Sequence, residues 1–464
     1  MEIRGEVGAA EFGDKRLTAR LVRLAELLAK APDQSFPKAA GSDAALEATY
    51  RFLGNEAVTA AAILQPHITA TVARCAHAGT VFVPHDTTEL RFSTERDGLG
   101  RVAGDDTHGF LGHFALAVSA QSRAPLGVLG MEAVFRDRGT RTRGHRATRP
   151  MEDKESRRWL ELVRRVDAAI DDVAAAVHVM DREADAYELL AALCAEKHRF
   201  IVRLQFDRAV DTTVGRGRIS DVMKRSRTVL TREVTLSARL PKRREPPRRA
   251  KKHPHRRTRC ATLSISASCL TIRRPPHLGS HLPETLRVNV VRVHEKNVRS
   301  GLDPVEWRLV TSEPIDGADD VAAVVDGYRA RWLIEEYFRA LKQGCAYEKR
   351  QLESKHALLN ALAVFTPIAW QLLALRQLSR DDAHLPADRV LSPLKLTLLR
   401  RHPDVRLRAN ATIREAMLAV AALGGHIKNN GEPGWLVLGR GYEDLLLLER
   451  GAALALGDDT LRRS

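Results

Sequence analysis

The stretch that decides how this chain is interpreted is residues 328–342, which read YRARWLIEEYFRALK. Placed on an α-helix at ~100° per residue, four polar residues of this stretch fall within an arc of roughly 60°. They are Tyr328, Arg331, Glu335 and Lys342. The stretch therefore predicts a helix with a phenol, a guanidinium, a carboxylate and an ammonium group on one face.

This shared face suits a site for metal and phosphate. The carboxylate supplies a hard oxygen ligand for a divalent metal, Arg331 can fork onto phosphate oxygens, and Lys342 and Tyr328 can hold neighbouring phosphates. Glu336 points about 100° away from Glu335 by the same count, so Glu335 is the predicted ligand. An ordinary i,i+4 surface pair of Arg331 with Glu335 is the alternative for this helix taken alone.

Two aspartates elsewhere in the chain follow predicted strands. Asp86 comes after the apolar run 81–83, and Asp181 comes directly after the run 177–180. Carboxylates at the ends of two strands, joined by Glu335 from a later helix, can bind two Mg²⁺ ions about 4 Å apart. A turn or helix-cap role is the alternative for each aspartate. Asp185 competes with Asp181, but we place it inside the following helix and rank it lower.

The rest of the chain predicts a mixture of helices and strands. Short helices extend to about residue 60, the second of them capped at Ser42 and running to Phe52, and the chain is mainly helical after Pro314. Between them the predicted elements are a hairpin at 114–120 and 126–135, a helix at 156–173, a helix at 184–195, a hairpin at 229–240 and 261–272, and strands at 287–293 and 307–311. Two final helices are predicted at 411–423 and 442–456.

The charge of the chain points to an anionic partner. Its 464 residues carry a formal net charge of +16, with 44% hydrophobic and 28% charged residues, which is the balance of a folded protein. Nucleic acid and anionic membrane are the usual partners for such an excess. A membrane is the weaker candidate because the longest apolar run, 358–375, is better explained as a buried helix pair; it is broken by Asn360, Thr366, Pro367 and Gln371.

Several other classes of protein are disfavoured. The first six residues lack the apolar core of a secretory signal. The five cysteines are odd in number and never in a Cys-x-x-Cys pair, and the spacing of His253, His255, Cys260 and Cys269 fits no common zinc finger. Residues 98–103 fit a loose dinucleotide-binding pattern, but no clear strand leads into them.

Several blocks of the sequence, in order, resemble bacterial cut-and-paste transposases of the insertion-sequence-four type, a family of DDE transposases that includes the transposase of transposon five. The Tyr-x2-Arg-x3-Glu-x6-Lys spacing joined to Asp-Arg-Glu-Ala-Asp at 181–185 is the specific part of this resemblance. The blocks are Phe12–Leu21, Ala48–Phe52, Asp86–Thr88, Asp153–Ser156 with Trp159, Asp181–Asp185, Trp307 with Thr311–Pro314, residues 328–342, and Leu423–Gly425. They span nearly the whole chain.

The resemblance implies a mixed α/β fold: an RNase-H-like core, in which helices flank a mixed sheet, with a β-rich insertion and helical ends. The implied domains are a transposon-end DNA-binding domain at 1–62, a catalytic domain at 63–375 with its insertion at about 204–312, and a C-terminal dimerisation domain at 376–464. It further implies Mg²⁺ or Mn²⁺, two ions per site, at Asp86, Asp181 and Glu335, and a bacterial cytoplasmic enzyme that joins the nucleoid when bound to DNA.

The resemblance also assigns DNA contacts. Tyr328, Arg331 and Lys342 are expected to bind phosphates beside the cut, and Arg203 to reach the hairpin formed on the transposon end. Trp307 is expected to stack on a base flipped out of the duplex, with an ordinary buried strand aromatic as the alternative. Arg20 and Lys30 match positions that look like transposon-end contacts.

The expected partners are double-stranded DNA, as transposon ends and target, and a second copy of the chain. The basic block 239–259 is expected to form an exposed loop that raises general DNA affinity. Two alternatives remain open: a catalytically silent, sequence-specific DNA-binding protein, and another RNase-H-like nuclease.

Overall fold

Five helices precede the first strand. In the computed structural model, which describes residues 3–96, 98–102, 107–135, 157–170, 173–213, 215–236, 238, 257–298, 304–381, 384–427 and 433–456, these are α1 Ile3–Val7, α2 Lys15–Lys30, α3 Phe36–Ala40, α4 Asp43–Leu53 and α5 Ala60–Ala78. The predicted cap at Ser42 is confirmed, because its side chain accepts a hydrogen bond from the Ala45 amide at the start of α4.

Twelve strands of the described residues form one mixed sheet. Their bounds are β1 Thr80–Phe92, β2 Gly100–Arg101, β3 His108–Ser119, β4 Pro125–Val134, β5 Ala175–Met180, β6 Phe200–Arg203, β7 Ala209–Thr212, β8 Gly215–Arg218, β9 Thr228–Leu236, β10 Arg259–Arg273, β11 Thr285–Glu295 and β12 Glu306–Thr311. The order is β2-β3-β1-β5-β6-β12-β11-β10-β7-β8, with β4 beside β3 and β9 beside β10. β5 is parallel to both β1 and β6, and the other described pairings are antiparallel.

The other described α-helices pack on this sheet or come after its last strand in the sequence. They are α6 Arg157–Ile170, α7 Tyr187–Ala195, α8 Ile219–Arg225, α9 Ala318–Ala330, α10 Trp332–Arg339, α11 Lys355–Asp381, α12 Pro393–Arg401, α13 Ile413–Leu423 and α14 Trp435–Leu456. The predicted mixed α/β fold, with a large mixed sheet flanked by helices and with helical ends, is confirmed. The two predicted hairpins form as β3–β4 and β9–β10. Residues 153–156 and 239–256 of the blocks discussed above lie outside the described residues.

The predicted insertion continues the same sheet. Its last strand, β12, pairs with β6 of the core on one side and with β11 on the other. Because these backbone hydrogen bonds join the two parts, the strands of the insertion extend the core sheet at one edge.

Side chains alternate along β1 between the two faces of the sheet. Val81 and Val83 pack in a cluster with residues of α6, whereas Phe82 packs in a cluster with residues of α9 and α10. By the same alternation, His85 faces α6 and Asp86 faces α9 and α10. At this point of the sheet, one face therefore carries a histidine and the opposite face carries a carboxylate.

The apolar run that we expected to form a helix pair is one helix. α11 runs unbroken from Lys355 to Asp381 with Pro367 inside it. A proline inside a helix costs about 3 kcal/mol, and here it is offset by burial, since most of this helix lies inside the protein. Residues Lys355–Gln377 are long and apolar enough to cross a membrane by length and composition alone, but 78% of the apolar window is buried within the protein.

The N-terminal helices are anchored to the sheet and to α11. The Asn360 side chain on α11 donates hydrogen bonds to the carbonyls of Leu53 and Val58, both at 2.9 Å. Glu6 on α1 contacts His67 and Arg74 on α5. One continuous hydrophobic cluster includes residues of α1 to α5, the sheet and α11. The domain boundary at residue 62 stays a prediction.

Candidate active site

Parallel pairing of β1 with β5 brings the two predicted aspartates side by side. The last parallel pair is Pro84 with Val179, so the register continues to Asp86 beside Asp181 two residues later. Asp181 directly follows β5, as predicted. The prediction that Asp86 ends its strand is wrong: β1 runs on to Phe92 because β3 keeps pairing with it, with Asp86 opposite Phe114.

The stretch 328–342 is helical but is not one uninterrupted α-helix, which corrects the prediction. α9 ends at Ala330, α10 runs from Trp332 to Arg339, and residues 340–344 form a π-helical turn. Arg331 lies at the junction of α9 and α10, with Glu335 one turn later in the first turn of α10. Since α10 packs on β1, the junction is placed beside Asp86.

Arg331 bridges two of the three predicted carboxylates. Its Nη1 donates to Oδ2 of Asp86 at 3.0 Å, and its Nη2 donates to Oε1 of Glu335 at 2.5 Å. The Arg331 side chain is 11% exposed, compared with 16% for Asp86 and 29% for Glu335. Arg331 and Glu335 therefore form more than a surface i,i+4 pair, because the same guanidinium reaches a strand 245 residues away.

The three carboxylates are electrostatically coupled. Burial raises the pKa of Asp86 to about 7; the Arg331 charge lowers it, and the charges of Asp181 and Glu335 raise it. We call Asp86, Asp181 and Glu335 the acidic centre.

Asp181 also caps a helix, which was the alternative role predicted for it from the sequence. Its Oδ1 accepts the Glu183 amide at 2.8 Å, at the start of a short 3₁₀-helix, Arg182–Ala184. This bond uses one of the two carboxylate oxygens. Capping and a place in the acidic centre are compatible for this side chain.

The two rival acids point elsewhere. Glu336 is buried, with Arg339 Nη1 at 3.4 Å and Arg376 Nη1 of α11 at 3.7 Å from its carboxylate oxygens. Asp185 is fully buried in an ion pair with Arg208. Our placement of Asp185 inside a helix is wrong, since it precedes α7, but its ion pair also separates it from the acidic centre.

Three of the predicted DNA-contacting residues form one group. Trp307 and Tyr328 lie edge to face with ring centroids 5.4 Å apart, and the Arg203 guanidinium lies 6.0 Å from the Tyr328 ring. Tyr328 is buried and Trp307 is partly buried. Trp307 also lines a pocket of about 160 Å³ with Arg232, Leu236, Leu263, Val305 and Arg329.

Lys342 lies apart from that group. Its Nζ donates to the backbone carbonyl of Glu89 on β1 and lies 3.6 Å from the Glu348 carboxylate. Arg20 is exposed on α2 and Lys30 is partly buried in the last turn of the same helix. Because α2 packs on α1, α4 and α11, these two residues belong to a different surface from the acidic centre.

The sequence analysis did not single out two arginines of this region: Arg182, which interacts electrostatically with Asp181, and Arg158, which contacts Thr87 and Glu183. Burial lowers the pKa of Arg182, the charge of Arg203 lowers it further, and Asp181 and Tyr328 act in the opposite direction. Arg158 is buried, and its guanidinium contacts Thr87 Oγ1 at 3.3 Å and Glu183 Oε1 at 2.5 Å. The only sequence signal was that Arg182 sits in the run 181–185.

The acidic centre fits divalent magnesium or manganese. Its donors are carboxylate oxygens, which these hard cations prefer. Burial is the main cause of the raised pKa of Asp86, and the charges of Asp181 and Glu335 raise it further, so a bound cation would stabilise the ionised carboxylate. Asp86, Asp181 and Glu335 are the residues that would hold the metal.

Two segments of the chain match known protein families. Residues 3–58 match the family described as "Transposase DNA-binding", and they include Arg20 and Lys30. Residues 131–365, which are 235 of the 464 residues, match the family described as "Transposase DDE domain", and they include Asp181 and Glu335. Asp86 lies outside both matched segments and is placed by the pairing of β1 with β5. The chain therefore belongs to the DDE transposases and carries a transposase DNA-binding domain at its N-terminal end.

Proposed function

We propose that this transposase is a cut-and-paste enzyme of the insertion-sequence-four type, similar to the transposase of transposon five. It binds the inverted repeats at transposon ends, nicks them, forms and opens end hairpins, and transfers the strands into target DNA. It acts as a homodimer in the cytoplasm of a bacterium, with its C-terminal region at 376–464 in the dimer contact. The observation that carries the proposal is the bridge from Arg331 to Asp86 and Glu335.

Asp86, Asp181 and Glu335 are the proposed catalytic residues and metal ligands. When bound, two Mg²⁺ or Mn²⁺ ions activate the attacking water or 3′-hydroxyl and stabilise the leaving oxygen. Arg331 orients Asp86 and Glu335 through its two hydrogen bonds. As a planar fork with five donors, it is also suited to bind the phosphate next to the cut.

The group of Arg203, Trp307 and Tyr328 is proposed to hold the DNA end. The partly buried indole of Trp307 is supported from one side by the Tyr328 ring, which makes it a firm stacking surface for an unpaired base. Arg203 and Arg182 add positive charge between this group and Asp181. Lys342 is proposed to bind a phosphate on the side of β1, and Arg20 and Lys30 to contact the transposon end from α2.

Cleavage of a transposon-end duplex tests the proposal. The substrate carries the terminal inverted repeat found beside this coding sequence, and the metal is Mg²⁺. We expect the wild-type chain to release 3′-hydroxyl ends and Glu335→Gln to lose cleavage by on the order of 100-fold or more, since a metal ligand next to the reacting phosphate is removed. DNA binding by Glu335→Gln should stay close to that of the wild type.

Glu284→Gln is the matched control, because Glu284 lies outside the matched DNA-binding segment and its side chain is 70% exposed in an ion pair with Arg273. It should cleave like the wild type. Cleavage that survives in Glu335→Gln, or that is lost only in Glu336→Gln, would place the active site elsewhere. DNA binding without cleavage by the wild type would favour the catalytically silent alternative.

A further inference from the structure

A cluster of two histidines and an aspartate lies on the opposite face of β5 from the acidic centre. Asp167 comes from α6, His178 from β5, and His198 from the turn before β6. Oδ1 of Asp167 is 2.8 Å from Nε2 of His178, and Oδ2 of Asp167 is 2.5 Å from Nδ1 of His198. One donor atom of each residue lies within 4.8 Å of the other two.

Both histidines of the cluster are held through their second ring nitrogen. Nδ1 of His178 is 2.8 Å from Nε2 of His85, and Nε2 of His198 is 3.1 Å from Oε2 of Glu196. Glu196 in turn accepts two hydrogen bonds from Arg164. Outer partners of this kind fix the tautomer and the ring orientation of histidines that ligate metals.

We propose that Asp167, His178 and His198 bind a divalent transition-metal ion of the zinc class. Two imidazoles and one carboxylate form a common three-ligand set for Zn²⁺, with a fourth position left for water. Imidazole nitrogen distinguishes this site from the acidic centre, whose oxygen donors favour Mg²⁺ or Mn²⁺.

The proposed ion has a structural position. It links α6, the middle of β5 and the turn between α7 and β6. His178 lies fully buried three residues before Asp181 on the same strand. Binding here fixes β5 and the end of the strand from which Asp181 projects.

Zinc content of the full-length chain tests the proposal. The protein is stripped with a chelator, incubated with Zn²⁺ in the presence of excess Mg²⁺ to fill oxygen-only sites, separated from free metal and analysed by mass spectrometry. We expect one Zn²⁺ per wild-type chain and a melting temperature that rises when Zn²⁺ is added. His198→Ala should retain almost no Zn²⁺ and show no such rise.

Two further variants test whether Zn²⁺ binding is specific to the cluster and its outer partners. His77→Ala, which removes an exposed histidine of α5, should bind Zn²⁺ like the wild type. Glu196→Gln removes only the outer partner of His198 and should weaken Zn²⁺ binding by about 10- to 100-fold. If His198→Ala does not fold, Asp167→Asn, which preserves side-chain volume, is read in the same way.

Absence of Zn²⁺ from the wild-type chain, or equal Zn²⁺ in wild type and His198→Ala, would overturn the proposal and leave a hydrogen-bonded polar cluster. Co²⁺ added to the stripped wild-type chain gives a readout that needs no variant. Intense visible absorption of four-coordinate Co²⁺ is expected, whereas the weak spectrum of hydrated Co²⁺ would contradict the site. These readouts do not involve cleavage, so they are independent of the proposed function.

Discussion

Two aspartates four residues apart, Asp181 and Asp185, have different roles. Asp185 is fully buried, and its carboxylate accepts hydrogen bonds from the amides of Gln205 and Phe206 at 2.6 and 2.8 Å as well as from Arg208. Asp181 is partly exposed and lies in the acidic centre, where Arg331 contacts Asp86 and Glu335 and the Asp181 carboxylate accepts the Glu183 amide. A carboxylate with its full set of partners stabilises the fold, and one without them is available to bind a cation.

The largest effect is expected at Asp185. Asp185→Asn leaves the Arg208 guanidinium buried without its counter-charge and should lower the free energy of unfolding by about 3–5 kcal/mol. Urea denaturation of the purified variant measures this loss. A change of less than about 1 kcal/mol would mean that Asp185 is not a structural acid and would remove the contrast with Asp181.

The same substitution at Asp86 should act in the opposite direction. The pKa of Asp86 is about 7 in the folded chain and 3.8 is its ordinary value. The folded state therefore binds the proton more tightly, and above pH 7 the ionised carboxylate destabilises the fold when no metal is present. Asp86→Asn removes that charge and should raise the free energy of unfolding by on the order of 1 kcal/mol or more, since one pKa unit corresponds to about 1.4 kcal/mol.

Denaturation in a chelating buffer near pH 8 checks this second prediction. Cleavage with Mg²⁺ should be lost in the same Asp86→Asn protein. A variant that is less stable than the wild type without metal would show that neighbouring positive charge already stabilises the ionised Asp86.

Glu6 extends the comparison to the junction with the N-terminal helices. Burial acts to raise its pKa, but hydrogen bonds from His67 and Arg74 lower it more. His67 is fully buried with a lowered pKa, and its Nε2 accepts the Val128 amide at 3.0 Å while its Nδ1 lies 2.5 Å from Glu6. His67 must therefore be neutral, because a protonated ring has no nitrogen free to accept.

Both groups have depressed pKa values in the folded chain, so their stabilisation is present at neutral pH and is lost as the pH falls. The loss begins below the ordinary pKa of 6.5 for His67 and continues below 4.5 for Glu6. The free energy of unfolding should fall by up to about 1.4 kcal/mol per pH unit for the proton that His67 resists. His67→Gln, which cannot titrate, is the control and should show a shallower slope below pH 6.5; equal slopes would contradict the assignment.

The local sequence predicted the helices and strands better than it predicted which of them pack together. Helical spacing placed Arg331 and Glu335 on one face, and these two residues are in contact. It did not predict that Arg331 also reaches Asp86, since that contact depends on how α10 packs on β1. The length of β1 was missed for a similar reason: β3, not the sequence near Asp86, keeps the strand extended.

Two other features were hidden for reasons of distance and burial. Pro367 suggested a helix break, but packing on several sides of α11 outweighs the lost hydrogen bond. The cluster of Asp167, His178 and His198 has no spacing motif, because its residues come from three elements that only the sheet topology brings together.

Mn²⁺ binding tests most directly whether Asp86, Asp181 and Glu335 form a metal site. Mn²⁺ is added to stripped protein that has been loaded with one equivalent of Zn²⁺ and freed of unbound metal, and its binding is followed by electron paramagnetic resonance. We expect the wild-type chain to bind Mn²⁺, and Asp86→Asn, Asp181→Asn and Glu335→Gln each to lose most of this binding. Glu284→Gln should retain it. Mn²⁺ binding that is unchanged in all three carboxylate variants would show that these residues do not hold the metal.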